Sequence, residues 1–168
     1  PLLWLDHWIT LYEDLVGRHR IRGILIFSRD AFKHQFQVPG FFAYRASTPS
    51  GDVCAMALWY VSGAVAYYHL AASNEIGYRS QAAYALVGSV LEDLTHMGCS
   101  WADLGAGAGI RKDANDGLSL FKAGWSTSRR TAHFCGKILD HVVYERLVET
   151  SGNLETSYFP VYRKGEFG

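Results

Sequence analysis

The sequence predicts one domain of mixed α/β (α+β) architecture, with a central, mostly antiparallel sheet that ends in one parallel strand pair and is flanked by helices. Three strand-like runs in the middle of the chain are separated only by short turns, which join antiparallel neighbours. A long amphipathic helix and a short strand follow, and such a crossover makes the last strand pair parallel. The 168 residues, 49% of them hydrophobic, are enough for one well-buried core.

Two helices are predicted before the first strand. The first follows Asp6, a candidate cap, and stops at Gly17. The apolar side chains that recur at helical spacing in it are Trp8, Leu11, Tyr12, Leu15 and Val16. Ser28 is a candidate cap for the second helix. That helix should end near Val38, because Pro39 disfavours helical geometry in the residue before it.

The three strands of the meander come next. They are predicted at Phe41 to Ser47, Val53 to Val61 and Ala64 to Ala72. A cluster of turn-forming residues separates the first two strands, and Ser62-Gly63 forms a tight turn between the second and the third. We therefore expect each strand to pair with the one that follows it.

The strongest helix pattern of the chain follows the meander. Ser80 is its candidate cap and Gly98 its stop. Its apolar stripe consists of Ala83, Leu86, Val87, Val90, Leu91, Leu94 and Met97. Trp101 to Leu104 is a short strand beyond this helix. Strand, crossover helix and strand together predict a parallel βαβ unit.

The last part of the chain predicts two more helices with a strand between them. Asp116 is the candidate cap of a short helix that carries Lys122 and stops at Gly124. Thr131 to Leu139 is the predicted strand, and Asp140 is the candidate cap of the final helix.

Charge and cysteine content argue against several classes of function. The formal net charge is +0, whereas a domain that binds duplex DNA normally has a basic face and a high pI. We interpret the arginine clusters at residues 18–22 and at Arg129-Arg130 as solvated faces. The three cysteines are far apart without a C-x-x-C pair, so we expect no metal site and a cytoplasmic protein with reduced thiols. No apolar run is long enough to span a membrane.

The run Asp103 to Gly109 looks like the D-x-G-x-G-x-G cofactor loop of class I methyltransferases. That loop follows the first strand of a doubly wound sheet, with several βα units still to come. Only about sixty residues remain here, with a single predicted strand. We therefore interpret the run as a flexible active-site loop. A methyltransferase would have a parallel sheet on both sides of it.

Four segments in the second half of the chain share features with one known family. They are Tyr68 to Ser73, Asp103 to Gly105, Gly117 to Trp125 and Tyr158 to Arg163. Gly117 to Trp125 is similar to the family segment G-L-x-x-F-K-x-G-W/F, and F-K-x-G-W is the most specific part of the match. Together the segments resemble the FemAB-like branch of the GNAT acyltransferase superfamily.

The resemblance implies a single GNAT-like domain over residues 1–168. Many FemAB-type proteins carry two such domains, so the chain is also compatible with the C-terminal half of a longer tandem protein. It begins at Pro1 without an initiator Met, as a processed product or a fragment would.

The resemblance also implies transfer of an acyl group from an activated donor, acyl-CoA, to the primary amine of a small molecule or peptide. Substrates of GNAT domains meet where two parallel strands splay apart. The FemAB-type alternative uses aminoacyl-tRNA as donor and a cell-wall precursor as acceptor. A third possibility is a GNAT-like domain that binds a partner without catalysis.

This chemistry needs an attacking amine, a stabilised oxyanion and a proton for the leaving group. By resemblance, Lys122 faces the site as a fixed cation; its structural alternative is a surface lysine. His69 lies on the strand beside the splay and is the candidate acceptor of the amine proton. Asp103 ends the partner strand and is the candidate for orienting the amine. Their structural alternatives are a hydrogen-bonded core histidine and a loop cap.

The loop before the long helix is the expected donor site, because a helix N-terminus presents N–H groups and partial positive charge to a phosphate. Its candidate donor-binding residues are Asn74, Gly77, Tyr78, Arg79 and Ser80. Gly77 matches the acetyl-CoA pattern Q/R-x-x-G-x-G/A, whereas Asn74 replaces Gln or Arg and Arg79 replaces a small residue. Arg79 either blocks the pyrophosphate or pairs with a phosphate. The neutral net charge disfavours a tRNA donor.

Overall fold

A four-stranded sheet organises the chain in the computed structural model, which describes residues 2–23, 26–107, 116–152 and 156–165. The strands are β1 (Phe41–Ser47), β2 (Val53–Ser62), β3 (Val65–Ser73) and β4 (Trp101–Asp103). They lie side by side in that order. β1, β2 and β3 are antiparallel neighbours, and β4 is parallel to β3. The predicted meander and parallel crossover are confirmed.

Helices cover both faces of the sheet. They are α1 (Leu5–His19), α2 (Arg29–Gln35), α3 (Glu75–Arg79), α4 (Ala82–His96), α5 (Gly117–Trp125) and α6 (His141–Ser151). On one face, α4 packs against Trp59 and Ala66 of the sheet. On the other face, α1 and α2 pack against Met56 and Leu58. Because β2 has a helix layer on both sides, the six consecutive residues from Cys54 to Trp59 are all buried. No helix among the described residues is both long and apolar enough to span a membrane.

Several predicted helix boundaries are wrong. α1 begins at Leu5, so Asp6 lies in its first turn, and α1 continues through Gly17 to His19. α2 ends at Gln35, short of Val38. α5 continues past Gly124 by one residue. A glycine inside a helix costs only about 1 kcal/mol relative to alanine, which the packing of the helix readily offsets.

The predicted strand at Thr131 to Leu139 is wrong. Residues 126–140 form neither helix nor strand, and nearly all of them are exposed. The side chain of Phe134, for example, is 79% exposed. A strand is stabilised by its neighbours in the sheet, and this segment pairs with none of the four described strands. The caps on either side of it are confirmed: Asp116 accepts a hydrogen bond from Ser119 N–H and Asp140 from Val143 N–H.

Phe32 anchors the helical layer formed by α1 and α2. Its side chain is fully buried and packs edge-on against Trp8 and Tyr12, with ring centroids 5.5 and 4.7 Å away. We expect Phe32→Ala to lower the free energy of unfolding by about 3–5 kcal/mol, because it leaves a cavity in a packed core. Urea titration measures the loss. The control Phe134→Ala, at an exposed ring, should change stability by less than about 0.5 kcal/mol.

Candidate active site

The two parallel strands pair only over their first residues. The three pairs are Val65 with Trp101, Ala66 with Ala102 and Tyr67 with Asp103. β3 continues for six more residues to Ser73, whereas β4 ends at Asp103 and the chain turns into the core at the buried Leu104. The edge of β3 from Tyr68 to Ser73 therefore has no strand partner on this side within the described part of the chain. The parting of the strands is confirmed, and the unpaired edge of β3 from Tyr68 to Ser73 is called the gap below.

Helix α5 lies beside this gap. Its ring side chains hold it against α4: Phe121 contacts Tyr84 with centroids 5.0 Å apart, and Trp125 packs over Gly88. This packing directs the next side chain, Lys122, toward the strand edge. The ammonium of Lys122 lies 5.2 Å from the centroid of the Tyr68 ring. The gap is thus bordered by β3, by α5 and by the first turns of α4.

Lys122 links α5 to the segment that follows β4. Its Nζ donates a hydrogen bond of 2.6 Å to the carbonyl oxygen of Ala106. Burial lowers the pKa of Lys122, and the carboxylates of Asp103 and Asp116 oppose that shift by stabilising the ammonium. The predicted candidates Lys122 and Asp103 are therefore brought into electrostatic contact. Asp103 also accepts a 2.8 Å hydrogen bond from the Gly105 N–H, as a loop cap does.

His69 is not brought to Lys122. β2 and β3 pair Leu58 with Leu70 and Trp59 with Tyr68, which leaves His69 as the extra residue of a β-bulge. Its Nε2 lies 3.0 Å from Oε1 of Gln35 on α2, and burial lowers its pKa. These contacts place His69 on the face covered by α1 and α2. The bulge interrupts the alternation of β3 side chains between the two faces of the sheet. The proton-accepting role of His69 therefore stays a prediction, and the position of the side chain does not support it.

Tyr68 is a site residue that sequence analysis missed. It is the first residue of β3 beyond the last pair with β4, and its ring packs edge-on against Trp59 at 5.0 Å. Burial raises the pKa of Tyr68 to about 12, so its phenol stays protonated at neutral pH. Strand alternation was the available signal, because it puts Tyr68 on the same face as the buried Ala66.

The expected donor loop is partly helical. Asn74 caps α3: its Oδ1 accepts a 3.0 Å hydrogen bond from Gly77 N–H, and its Nδ2 donates to the carbonyl of Val53. Gly77 is buried, and an added Cβ would overlap the carbonyl oxygen of Cys54. Glycine is required there by this close approach, which explains the residue without reference to a ligand.

The sequence suggested Ser80 as the cap of the long helix, but Ser80 does not cap it. It stands at the C-cap of α3, where its hydroxyl donates a 2.9 Å hydrogen bond to the carbonyl of Ile76. α4 begins at Ala82, after Gln81 in the left-handed conformation with φ of 55°. The sequence pattern did not predict α3. Because this short helix ends at Ser80, the Ser80 hydroxyl bonds to a carbonyl of α3 and does not reach the first N–H groups of α4.

Tyr78 and Arg79 lie exposed at the end of α3. The guanidinium of Arg18 stacks over the Tyr78 ring, 4.3 Å from its centroid. Arg79 forms an exposed ion pair with Glu75, one turn earlier. This pair directs the Arg79 side chain along α3.

Two other sequence expectations concern cofactors. Within the described residues, the loop after β4 has a parallel pair on one side only, and no group of His, Cys, Asp or Glu is arranged to hold a metal ion. Ala108 and Gly109 of the glycine-rich run lie outside the described residues. The antiparallel meander is incompatible with the doubly wound sheet of a class I methyltransferase.

Comparison with known proteins shows the fold. No protein-family model and no curated protein matches the chain. The aminoglycoside acetyltransferase meta-AAC0020 from an uncultured soil metagenomic sample, solved in complex with sisomicin, superimposes with a TM-score of 0.60 at 14% identity, over 81% of this chain and 90% of that one.

Two further acetyltransferase structures match. Aminoglycoside 6′-N-acetyltransferase AAC(6′)-Ih from Acinetobacter baumannii has a TM-score of 0.55 at 17% identity, over 80% of this chain and 92% of that one. AAC(6′)-Iy in complex with CoA has a TM-score of 0.51 at 14% identity, over 82% and 96%. All three have the GNAT fold, and this chain therefore has it too.

The burial of His69 predicts a pH dependence of stability. Because its pKa in the folded protein lies below 6.5, the unfolded chain binds more protons as the pH falls through that value. The free energy of unfolding should therefore decrease below about pH 6.5. We expect His69→Asn to show a smaller loss between about pH 7.5 and about pH 5.5 in urea titrations. An identical pH dependence in parent and variant would contradict this.

Gly77 offers a test of the close approach between α3 and β2. We expect Gly77→Ala to cost about 1–3 kcal/mol of unfolding free energy, because the new methyl group displaces the Cys54 backbone. Gly17→Ala is the matched control: it adds the same group inside α1 with nothing within 4 Å and should stabilise by about 0.5–1 kcal/mol. Equal effects of the two substitutions in urea titrations would show that the approach is not tight.

Proposed function

We propose that the protein is an N-acyltransferase that moves an acyl group from acyl-CoA to a primary amine in the gap between β3 and β4. The observation that carries the proposal is the early end of the parallel pairing, at Tyr67 and Asp103, with Lys122 directed into the space beyond it. The GNAT fold supports it, since the three matching structures are acetyltransferases and one of them is in complex with CoA.

The edge of β3 beside the gap supplies the groups that the donor and the reacting carbonyl need. Backbone N–H and C=O groups of an edge strand point outward and must bind something. An extended donor can hydrogen-bond there as an additional strand would. An N–H of the same edge, between Tyr68 and Ser73, can stabilise the oxyanion that forms when the amine attacks the thioester.

Lys122 and Asp103 have electrostatic roles in the proposed reaction. The Lys122 ammonium stabilises negative charge on the donor or on the reacting carbonyl, in a site where partial burial strengthens the interaction. Asp103 orients the attacking amine, since its carboxylate stands at the end of β4 beside the gap. The C–N bond forms, the C–S bond breaks, and the proton lost by the amine is available to the leaving thiolate.

The donor's phosphate groups lie near the start of α4. Asn74, Gly77 and Ser80 shape this region through α3, and Tyr78 and Arg79 present their side chains at its surface. An exposed ion pair such as Arg79 with Glu75 contributes only about 0.2–1 kcal/mol. A phosphate can therefore replace the Glu75 carboxylate as the partner of Arg79.

Two alternatives remain distinct from this proposal. A FemAB-type transferase would take its acyl group from aminoacyl-tRNA and act on a cell-wall precursor, and the arginines at residues 18–22 favour such a polyanionic donor. A non-catalytic GNAT-like domain would bind a ligand and transfer nothing. Titration with acetyl-CoA, longer acyl-CoAs and aminoacyl-tRNA, followed by transfer assays on a panel of small-molecule and peptide amines, separates the three.

Lys122 provides the mutational test of the proposed reaction. We expect Lys122→Ala to lower kcat about a hundredfold, because a stabilising cation is lost at the developing charge. Lys122→Arg should retain part of the rate, and Lys33→Ala, at an exposed position on α2, should leave it unchanged. Steady-state kinetics with acyl-CoA and the best amine measure the effect. Full activity of Lys122→Ala would remove Lys122 from the mechanism.

A further inference from the structure

A local concentration of positive charge stands at the end of α1. Arg18, Arg20 and Arg22 lie within five residues together with His19, and no Asp or Glu occurs between Leu15 and Arg29. The side chains of residues 18–20 and of Arg22 are exposed. In a protein with a formal net charge of +0, this segment is a local positive surface.

The fold places this basic segment beside the donor region. α1 ends at His19, and Arg20 takes the left-handed conformation, with φ of 51°, that turns the chain out of the helix. The Arg18 guanidinium donates a 3.0 Å hydrogen bond to the carbonyl of Ser73, at the end of β3. It also stacks over Tyr78 of α3. One arginine thus joins the basic segment to both elements at which the donor is expected.

Helix α3, which carries most of the donor loop, has little positive charge of its own to offer. The Gly77 N–H is occupied by the Asn74 cap, and Gly77 is packed against Cys54. The α3 helix has only five residues, so its dipole is weak. The charge of Arg79 is shared with Glu75 until a phosphate replaces that carboxylate. The exposed arginines at the neighbouring end of α1 add positive charge beside α3.

We propose that residues 18–22 bind the phosphate groups of the donor, with Arg18 as the fixed anchor and Arg20 and Arg22 as exposed cations around it. Arginine suits this role because its planar guanidinium binds phosphate oxygens in a bidentate manner. The contacts of Arg18 hold its side chain in place, so less entropy is lost on binding. The identity of the ligand as an acyl donor rests on the proposed function, but its chemistry, a phosphate ester, does not.

Charge reversal at the two exposed arginines tests the proposal. Neither Arg20 nor Arg22 supports the core, so the double variant Arg20→Glu/Arg22→Glu should fold. The control Arg129→Glu/Arg146→Glu makes the same change in net charge at exposed positions elsewhere. Calorimetric titration with CoA, 3′-dephospho-CoA and unacylated tRNA, each at low and at high salt, gives the dissociation constants.

We expect the double reversal at Arg20 and Arg22 to weaken CoA binding about tenfold at low salt and less at high salt, because two attractive charges become repulsive. The control should change the dissociation constant less than about twofold. A loss of tRNA affinity without a loss of CoA affinity would support the segment as a phosphate site and identify RNA as its source. Equal effects of the two double variants, or no effect of either, would overturn the proposal.

Binding and turnover separate this inference from the proposed function. If the parent protein binds CoA through these arginines but transfers no acyl group, the proposed phosphate site stands and the proposed transferase activity is refuted. Acyl transfer by Arg20→Glu/Arg22→Glu, with its affinities for CoA and for tRNA both unchanged, would retain the transferase and refute the phosphate site. A parent protein that binds none of the three ligands at low salt would also refute the phosphate site.

Discussion

The site depends on one constraint, the short length of β4. Its three residues pair with the beginning of β3, and the chain then turns inward at Leu104, which is buried in the core. β3 cannot end at the same place, because its later residues are held by β2 on the other side as far as Ser73. On the β4 side, β3 therefore continues without a strand partner among the described residues, and the backbone groups of that edge need other partners.

The rest of the architecture supports this gap. α4 packs on one face of the sheet, and this packing fixes the position of its first turn relative to β3. α5 rests on α4 through Phe121 and Trp125, which sets the position of Lys122 over Tyr68. On the opposite face, α1 fills the core with apolar side chains and ends with a cation above α3. Packing on the two faces thus places one cation over Tyr68 and another at Ser73, the last residue of β3.

Local sequence was sufficient wherever a structural feature depends only on residues close together in the chain. The predicted bounds of β1 agree completely with the observed ones. Ser28, Asp116 and Asp140 cap helices as predicted, because a cap needs only a side-chain oxygen three residues before an amide. The strand predicted at Thr131 to Leu139 failed for the opposite reason. Its local sequence was strand-like, but a strand forms only where another strand accepts its hydrogen bonds.

Sequence patterns alone were sufficient for the meander, the crossover and the amphipathic stripe of α4, since each follows from side-chain periodicity and turn residues close together in the chain. The choice of side chains around the gap was not contained in those patterns. A bulge between Leu58 and Trp59 sends His69 to the far face, and a turn of helix at Glu75 takes Ser80 away from α4. The bulge and the additional turn of helix depend on packing between distant segments, and they select which side chains meet.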